Sequence, residues 1–285
     1  MRNDSAPYKI SNFRPEKMSS SINEKPDFSE FIINPDLVKD PRISVVIPVY
    51  MEEKILEKVL SVYTKELRER YKLEIIVSDG GSSDKTVEIA KKHTDKLFVH
   101  AEDRRQTISE GRNRGAELAE SDCIIFINGD TIPVEPENFF NRVLNWHLGD
   151  GCMSESVALA CPVTVEEDQI LFKDKVFYAL HNSYVRFLNF IGIGMGRGEC
   201  QIVKTEAFRK VGGYNSSIAA GEDFDLYQRM SKIGKVSYAS KIKVYESPRR
   251  FRKFGYLRIL KQWTMNSLSV MFRGRSVSDE WEAVR

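Results

Sequence analysis

The sequence is poor in cysteine and has no long apolar run, and both absences narrow what the chain can be. The cysteines at 123, 152, 161 and 200 form neither Cys-x-x-Cys pairs nor the spacing of a zinc site. This excludes a zinc ribbon or a disulfide scaffold and predicts a reducing compartment. No window of about 18 uninterrupted apolar residues occurs, so we expect no spanning helix. The N-terminus lacks an apolar core, so we expect no signal peptide and a cytoplasmic location.

The chain also lacks a strong excess of charge of either sign. Its 43 Lys and Arg against 41 Asp and Glu leave a formal net charge of +2, which argues against nucleic acid as a partner. The charge is uneven, however, because residues 241–275 contain ten basic residues and a single acid, Glu246. Such a segment suits phosphates or an anionic membrane surface, and it is equally explained as a solvated basic helix.

What the sequence does contain is an alternation of two periodicities. Short β-rich runs, such as 43–49 and 73–78, alternate with segments of helical spacing, such as 84–93. This alternation predicts right-handed βαβ units, and therefore an α/β fold with a mostly parallel central sheet flanked by helices. We also predict long helices over 52–70 and 251–272. The expected organisation is a flexible N-terminal leader (1–40), one α/β domain (41–250), and a basic amphipathic C-terminal helix and tail (251–285).

The most informative stretch is residues 74–86, Glu-Ile-Ile-Val-Ser-Asp-Gly-Gly-Ser-Ser-Asp-Lys-Thr. A buried strand ends in Asp79, and a turn containing Gly81 leads into a helix. Ligands of open α/β sheets bind at this end of the strands. The small residues leave backbone N–H groups accessible, and Asp79 can accept hydrogen bonds from a base or a ribose. The stretch therefore predicts a nucleotide site.

Two further strands end in polar residues that we expect at the same edge of the sheet. The first strand ends with Pro48, Tyr50 and Glu52, where the ring of Tyr50 offers a flat face to a base. The fourth ends in Asn128-Gly129-Asp130. A divalent cation held against a diphosphate takes only one or two protein carboxylates, and Asp130 is a candidate for one of them. Taken alone, each motif is an ordinary strand exit or turn.

Four other places carry weaker signals. Arg112 and Arg114 are candidates for phosphate contacts, although at least one of them is expected on a solvated helix face. Glu222 and Asp223 open a helix, where acids are favoured by the dipole, and one of them can remove a proton from an incoming hydroxyl. The remaining candidates for contact with a diphosphate, a donor sugar or an acceptor are Glu199, Gln201, Arg249 and Arg250.

Taken in order, these motifs resemble family 2 glycosyltransferases of the GT-A (Rossmann-like) fold. The motifs are Val-Val-Ile-Pro-Val-Tyr-x-Glu, Ile-Val-Ser-Asp-Gly-Gly-Ser-Ser-Asp-Lys-Thr, Gly-Arg-Asn-x-Gly, Phe-Ile-Asn-Gly-Asp-Thr and Gly-Glu-Asp-x-Asp-Leu. The resemblance implies an inverting enzyme that uses a UDP- or GDP-type sugar donor and a divalent cation, Mg²⁺ or Mn²⁺. It implies that Pro48–Glu52 and Asp79 hold the nucleoside, that Asp130 is the metal ligand, and that Asp223 is the catalytic base.

One departure from the family pattern concerns the metal. Asn128 stands where the first acid of the Asp-x-Asp motif is expected. An amide hydrogen-bonds a ribose hydroxyl but brings no negative charge to a cation. We therefore expect weaker cation binding, or a cation that depends more on the diphosphate.

Two other classes of protein remain open from the sequence. A degenerate transferase fold that serves as a binding or membrane scaffold would explain Asn128, but Asp79, Asp130 and Asp223 are retained. A sugar nucleotidyltransferase would share the sheet and the acids, but it would carry a Gly-rich phosphate loop after the first strand. The expected partners are a nucleotide sugar and a hydroxyl acceptor. We hypothesise that the acceptor is lipid-linked or a cell-envelope glycan and that the 251–272 helix contacts the inner face of an anionic membrane.

Overall fold

The computed structural model describes residues 30–34, 38–102, 104–151, 153–273 and 276–277. The described residues form an α/β body in which helices pack on a large sheet, and a small second sheet lies beside it. The strands are Glu30–Ile33 (β1), Ile43–Val49 (β2), Leu73–Asp79 (β3), Lys96–Val99 (β4), Cys123–Ile127 (β5), Thr131–Pro133 (β6), Ser156–Ala160 (β7), Val163–Thr164 (β8), Cys200–Lys204 (β9), Lys235–Tyr238 (β10) and Val244–Glu246 (β11).

The helices connect and cover these strands. Most of them present one apolar face to the sheet, as amphipathic surface helices do. Their bounds are Leu56–Ser61 (α1), Lys65–Tyr71 (α2), Thr86–His93 (α3), Ile108–Glu117 (α4), Pro136–His147 (α5), Phe172–Phe190 (α6), Thr205–Lys210 (α7), Glu222–Ser231 (α8), Arg249–Phe254 (α9) and Tyr256–Arg273 (α10).

The large sheet has the order β1-β4-β3-β2-β5-β9-β7-β10. The pairs among β4, β3, β2 and β5 are parallel, whereas β9 runs antiparallel to both of its neighbours. β2 and β3 consist mainly of Ile and Val, and almost all of their side chains are buried because helices cover both faces. The mostly parallel α/β sheet predicted from the sequence is therefore confirmed.

The register of the parallel strands brings their carboxyl ends together. Val49 at the end of β2 pairs with Asp79 at the end of β3, and β5 lies on the other side of β2. α4 packs closely on this part of the sheet, since a Cβ added to Gly115 would lie 2.3 Å from Cγ1 of Val46. The loops that follow β2, β3 and β5 consequently meet at one edge.

The small sheet, of order β6-β11-β8, positions the segment that contains Arg249. β6 begins directly after Asp130, and β11 ends at Glu246. The backbone N–H of Ser247 donates to the carbonyl oxygen of Asp130 at 3.2 Å. This pairing carries the chain that contains Arg249 to the same edge.

Three sequence predictions about local structure need correction. The helix predicted over 52–70 is two helices, because Thr64 is extended and its side chain accepts a hydrogen bond from the N–H of Leu67, which starts α2. The helix predicted over 251–272 is broken at Gly255, whose positive φ of 77° ends α9. Residues 30–33 of the predicted flexible leader form β1, paired antiparallel with β4. Residues 1–29 of that leader lie outside the described residues.

Candidate active site

A cleft of about 340 Å³ opens at the edge where β2, β3 and β5 end. A second cavity of about 110 Å³ adjoins it and shares the walls Ile108, Asn128, Glu199 and Trp263. Many of the residues predicted from the sequence line the larger cleft, which confirms that separate motifs converge. Those residues are Pro48, Tyr50, Glu52, Asn128, Gly129, Asp130, Glu199, Arg249 and Arg250.

Asp79 is buried beneath the loop that forms one wall of the cleft. Its Oδ2 atom accepts hydrogen bonds from the backbone N–H groups of Gly81, at 3.0 Å, and Ser82, at 2.8 Å. Gly81 adopts a φ of +92°, which only glycine reaches without strain. Burial raises the pKa of Asp79, and the hydrogen bonds from Ser82 and Gly81 oppose that rise. Its Oδ1 atom has no hydrogen-bond partner in the part of the chain that the structure describes. The side chain is fully buried and lines neither cavity, so in this structure Asp79 shapes the loop.

Tyr50 stands at the exit of β2 as the sequence predicts. The guanidinium of Arg105 lies 4.7 Å from the centre of its ring, and Arg105 also lines the cleft. Arg105 was not among the sequence candidates, because it lies in an irregular segment with no motif around it. A flat aromatic ring that stacks with a planar cation is also a surface on which a base can stack.

Asp130 and Glu52 are joined by a single arginine. Nη2 of Arg249 lies 2.8 Å from Oε1 of Glu52 and 3.1 Å from Oδ2 of Asp130. The side chains of Arg249 and Asp130 remain about a quarter exposed, whereas that of Glu52 is almost buried. Arg249 therefore bridges the predicted nucleoside wall and the predicted metal ligand.

The side chains around Asp130 can hold a divalent cation only if most of its ligands come from outside the protein. The described residues contain no group of three or more His, Cys, Asp or Glu side chains placed to hold a metal. Oδ1 of Asn128 accepts a hydrogen bond from Nη2 of Arg112 at 3.0 Å. Asp130 is a carboxylate at the rim of the cleft. One carboxylate is enough for a hard cation that takes its other oxygen ligands from a diphosphate and water. These residues do not provide a complete set of protein ligands for a metal ion.

Asp223 lies in the smaller cavity, in the first turn of α8. The helix starts after Gly221, whose φ of +90° makes the sharp turn into it. Burial raises the pKa of Asp223 to about 7, the neighbouring Glu222 carboxylate adds to the rise, and the guanidinium of Arg112 opposes it. A carboxylate with a pKa near neutrality, facing a cavity, is suited to accept a proton at physiological pH.

Arg112 holds this part of the site together from inside. It is fully buried, and its guanidinium donates to Oε1 of Glu222 at 2.8 Å and to the carbonyl oxygen of Gly198 at 2.6 Å, in addition to Asn128. The solvated helix face predicted for at least one of the two arginines is found at Arg114, which pairs with Glu117 at the surface. Glu222 and Arg112 thus form a buried ion pair. The pair fixes the N-terminus of α8, and Arg112 also fixes Asn128.

The structure does not place Gln201 at the site. Its side chain is fully buried, and its Oε1 accepts a hydrogen bond from the hydroxyl of Tyr214. It lines neither cavity. Gly129 lines the cleft, but a Cβ there would lie 2.9 Å from Cγ1 of Val49, so its small size also serves close packing.

Sequence reasoning named Glu199 but missed Glu246, the second member of a buried acidic pair between the two cavities. Glu199 lines both cavities, and Glu246, at the end of β11, lines the larger one. The buried Arg197 donates to Glu199 at 2.9 and 3.2 Å and holds the pKa of that carboxyl below its usual range although burial opposes this. Burial, and then the Glu199 charge, raise the pKa of Glu246 well above its usual range. The two carboxyl groups are therefore shifted in opposite directions, with the proton favoured on Glu246, a difference that a lone Glu in a strand sequence does not reveal.

Comparison with known proteins identifies the family of the chain. The family model described as glycosyl transferase family 2 matches residues 44–212, more than half of the chain. Glycosyltransferase AglE of Haloferax volcanii is 36% identical over 96 residues, covering 33% of this chain and 32% of AglE. The succinoglycan biosynthesis protein ExoA of Rhizobium meliloti is 28% identical over 165 residues, covering 56% of this chain and 49% of ExoA. The chain thus matches between a third and a half of the length of these relatives.

A solved structure shows the same fold. The mannosyltransferase PcManGT of Pyrobaculum calidifontis, in complex with GDP-Man and Mn²⁺, superposes with a TM-score of 0.61 at 17% identity. The match covers 88% of this chain and 68% of that one. The fold is therefore that of the GT-A glycosyltransferases, as the resemblance implied.

Proposed function

The chain belongs to glycosyl transferase family 2, and from this membership we propose that it transfers a sugar, with inversion, from a UDP- or GDP-type donor to an acceptor hydroxyl. One observation carries the proposal. Asp130 and Asp223, distant in sequence, line adjoining cavities that share four lining residues. Asp130 is paired with Arg249, whereas burial and the Glu222 carboxylate raise the pKa of Asp223. A transferase needs this pair of properties, a place for a diphosphate and a base beside it.

The nucleoside half of the donor is assigned to the wall formed after β2 and β3. Tyr50, which lines the cleft, provides the stacking face. We assign to Asp79, which lies buried behind that wall, a hydrogen bond from a base N–H or a ribose hydroxyl to Oδ1, the atom that has no partner among the described residues. Satisfying a buried acceptor of this kind contributes to specificity, because a ligand without the donor leaves it unpaired.

The diphosphate half is assigned to the rim around Asp130. A divalent cation, Mg²⁺ or Mn²⁺, held by Asp130 and the diphosphate would neutralise the charge that develops on the leaving group. Arg249 and Arg250 line the same rim and match phosphate oxygens in charge and geometry. When a donor enters, the Arg249 guanidinium has phosphate oxygens as alternative partners to Asp130.

The acceptor half is assigned to the smaller cavity. Asp223 accepts the proton of the acceptor hydroxyl as that oxygen attacks the sugar from the face opposite the leaving group. The ion pair of Arg112 with Glu222 fixes the start of α8 and so orients Asp223. Holding the two substrates in adjoining cavities also lowers the entropic part of the barrier, by roughly 7 kcal/mol or more in well-oriented cases.

The chemical nature of the acceptor forms a further part of the proposal. The name of ExoA refers to succinoglycan biosynthesis, and we propose a glycan or lipid-linked hydroxyl acceptor near a membrane. The described residues contain no helix that is long and apolar enough to cross one.

The decisive experiment measures turnover and binding separately. Purified protein is incubated with UDP- and GDP-sugars and Mn²⁺, with and without EDTA, and the release of nucleoside diphosphate is followed. We expect release by the wild type, at least a hundredfold less for Asp223→Asn, and unchanged donor binding in a thermal-shift assay. The matched control is Asp225→Asn, two residues further along α8, where the carboxylate pairs with Arg229.

The three functional classes give different results in this assay. Donor binding without release by the wild type would support the degenerate scaffold. Release of pyrophosphate from a nucleoside triphosphate and a sugar phosphate would support the nucleotidyltransferase. Wild-type rates for Asp223→Asn would refute the assignment of the base.

A further inference from the structure

One face of α6 is apolar and exposed to solvent. Of the large apolar side chains that the structure describes as exposed, half lie between residues 171 and 191. Single exposed apolar residues are ordinary, but a contiguous apolar surface indicates a binding partner. We call this surface the α6 stripe; its members are Phe172, Val176, Leu180, Tyr184, Phe187, Phe190 and Ile191.

The spacing of these residues places them along one side of the helix. Phe172, Val176 and Leu180 follow one another at intervals of four, and Phe187 comes seven later, which keeps all of them on one face. The opposite face of α6 is buried against the body of the protein, with Tyr178 and Val185 nearly inaccessible. The helix therefore has two apolar faces, and only one of them is covered within the described residues.

The exposed charges on α6 itself have one sign, although Glu167 and Asp168 are exposed in the segment before it. On α6 the exposed charged residues are Lys173, Lys175 and Arg186. The single acid of the helix, Asp174, is buried and paired with Arg252. An apolar face edged by lysine and arginine is the pattern of a helix that lies in the plane of an anionic membrane interface.

The neighbouring helices extend the same surface. Phe177 of α6 contacts Tyr256 of α10 at 4.9 Å between ring centres, and His181 contacts Trp263 at 5.3 Å. From residue 249 to residue 277 the sequence contains no acid. Basic residues of α9 and α10, including the exposed Lys253, Arg258 and Lys261, therefore lie on elements that pack beside α6.

We propose that the α6 stripe inserts into the headgroup region of a bilayer that contains anionic lipids, with the basic residues of α6, α9 and α10 on the phosphates. A second copy of the chain is a poorer occupant, because a symmetric contact would bring two basic edges together. The inference rests on one part of the proposed function, the acceptor near a membrane, and says which surface of the protein contacts that membrane. It assigns the main apolar contact to α6. The helix expected from the sequence, α10, contributes basic residues and the exposed Leu257, Leu260 and Met265.

The location also suits the proposed reaction. His181 and Trp263, which touch each other where α6 meets α10, line the cavity that contains Asp223. The inner side of the α6–α10 contact thus faces the acceptor cavity, and the stripe lies on the outer side of α6. An acceptor carried at a membrane surface would be presented beside that cavity.

The test is cosedimentation of the full chain with vesicles of phosphatidylcholine alone and with 30 mol% phosphatidylglycerol, a probe composition of roughly physiological anionic content. The stripe variant is Leu180→Ser with Phe187→Ser. Its matched control is Ile33→Ser with Leu148→Ser, two apolar side chains of similar exposure outside α6. A charge variant, Lys175→Glu with Arg186→Glu, changes the edge without altering any apolar residue.

We expect the wild type and the control to bind anionic vesicles, and the stripe and charge variants to bind at least tenfold more weakly. Donor-induced thermal shifts should be the same in all four proteins, which separates this inference from the transferase proposal. The inference is overturned if the wild type stays in the supernatant with anionic vesicles, or if both variants bind like the wild type. Sedimentation velocity showing a wild-type dimer that the stripe variant converts to a monomer, without vesicle binding by either, would assign the stripe to a second copy instead.

Discussion

Replacing the proposed base by its amide should stabilise the protein at alkaline pH. The pKa of Asp223 is raised to about 7, first by burial and then by the Glu222 carboxylate, from an ordinary value of 3.8. The folded protein therefore keeps this proton over a pH range in which the unfolded chain has lost it. Stability from this group is complete below about pH 4 and is lost as the pH rises through about 7. Above about pH 7 the folded state contains an ionised Asp223, which burial and the neighbouring Glu222 carboxylate destabilise.

The two pKa values set the size of the effect. They differ by roughly 3, which corresponds to about 4 kcal/mol of unfolding free energy if the whole difference is expressed. Arg112 and Glu222 relax together with Asp223, so we expect Asp223→Asn to raise the unfolding free energy by about 1–3 kcal/mol at pH 8. At pH 4.5, where the wild-type side chain is protonated when folded, the two proteins should be nearly equal.

The assay is urea unfolding of both proteins at pH 4.5 and pH 8, followed by circular dichroism. Asp225→Asn serves as the control, because its carboxylate is paired with Arg229 at 2.6 Å and its loss should not stabilise. An equal difference between wild type and Asp223→Asn at both pH values would refute the reasoning, since an effect independent of pH cannot come from this titration.

The same raised pKa predicts how the rate depends on pH. Only the carboxylate form of Asp223 can accept the acceptor proton, so kcat/KM should fall about tenfold for each pH unit below 7. Glu222→Gln removes a charge that raises this pKa, and it should move the acidic limb to lower pH. An unchanged limb in that variant would mean that another group controls it.

Three further predictions concern the cation, the packing of α4 and the nucleoside wall. Arg249→Met removes the guanidinium that lies 3.1 Å from Asp130, so Mn²⁺ affinity without donor, measured by electron paramagnetic resonance, should rise about tenfold; an unchanged affinity would show that the pair does not compete with a cation. Gly115→Ala places a Cβ 2.3 Å from a methyl of Val46, and despite the better helix propensity of alanine it should cost about 1–3 kcal/mol in urea unfolding. Tyr50→Ala should weaken nucleoside diphosphate binding in calorimetry by about tenfold, through a lost stacking contact, and equal affinities would remove the base from that wall.

The strand exits were predictable because their chemistry is local. Asp79, Asn128 and Asp130 each follow an apolar run, and the carboxyl ends of parallel strands share one edge of a sheet. The order of the motifs was therefore enough to predict that they converge. Gln201 is the exception that does not line either cavity, because nothing in the sequence shows that its amide is buried against Tyr214.

The breaks in the predicted helices have a different origin. The apolar spacing continues across Thr64 and Gly255, so periodicity alone predicts one helix in each place. Thr64 caps the second helix with its side chain, and Gly255 takes a positive φ. Both residues are common helix boundaries, but which boundary is used depends on how the flanking segments pack.

By itself the sequence determined the class of sheet and the edge at which the motifs that end its strands meet, because these follow from short periodic runs and the residues that end them. The tertiary structure alone decided that Arg249 bridges Glu52 and Asp130 across 197 and 119 positions of the chain. It also decided that the carboxyl pKa is lowered at Glu199 and raised at Glu246, and which face of α6 is exposed. These properties depend on burial and on neighbours from distant segments, and no local pattern of residues specifies them.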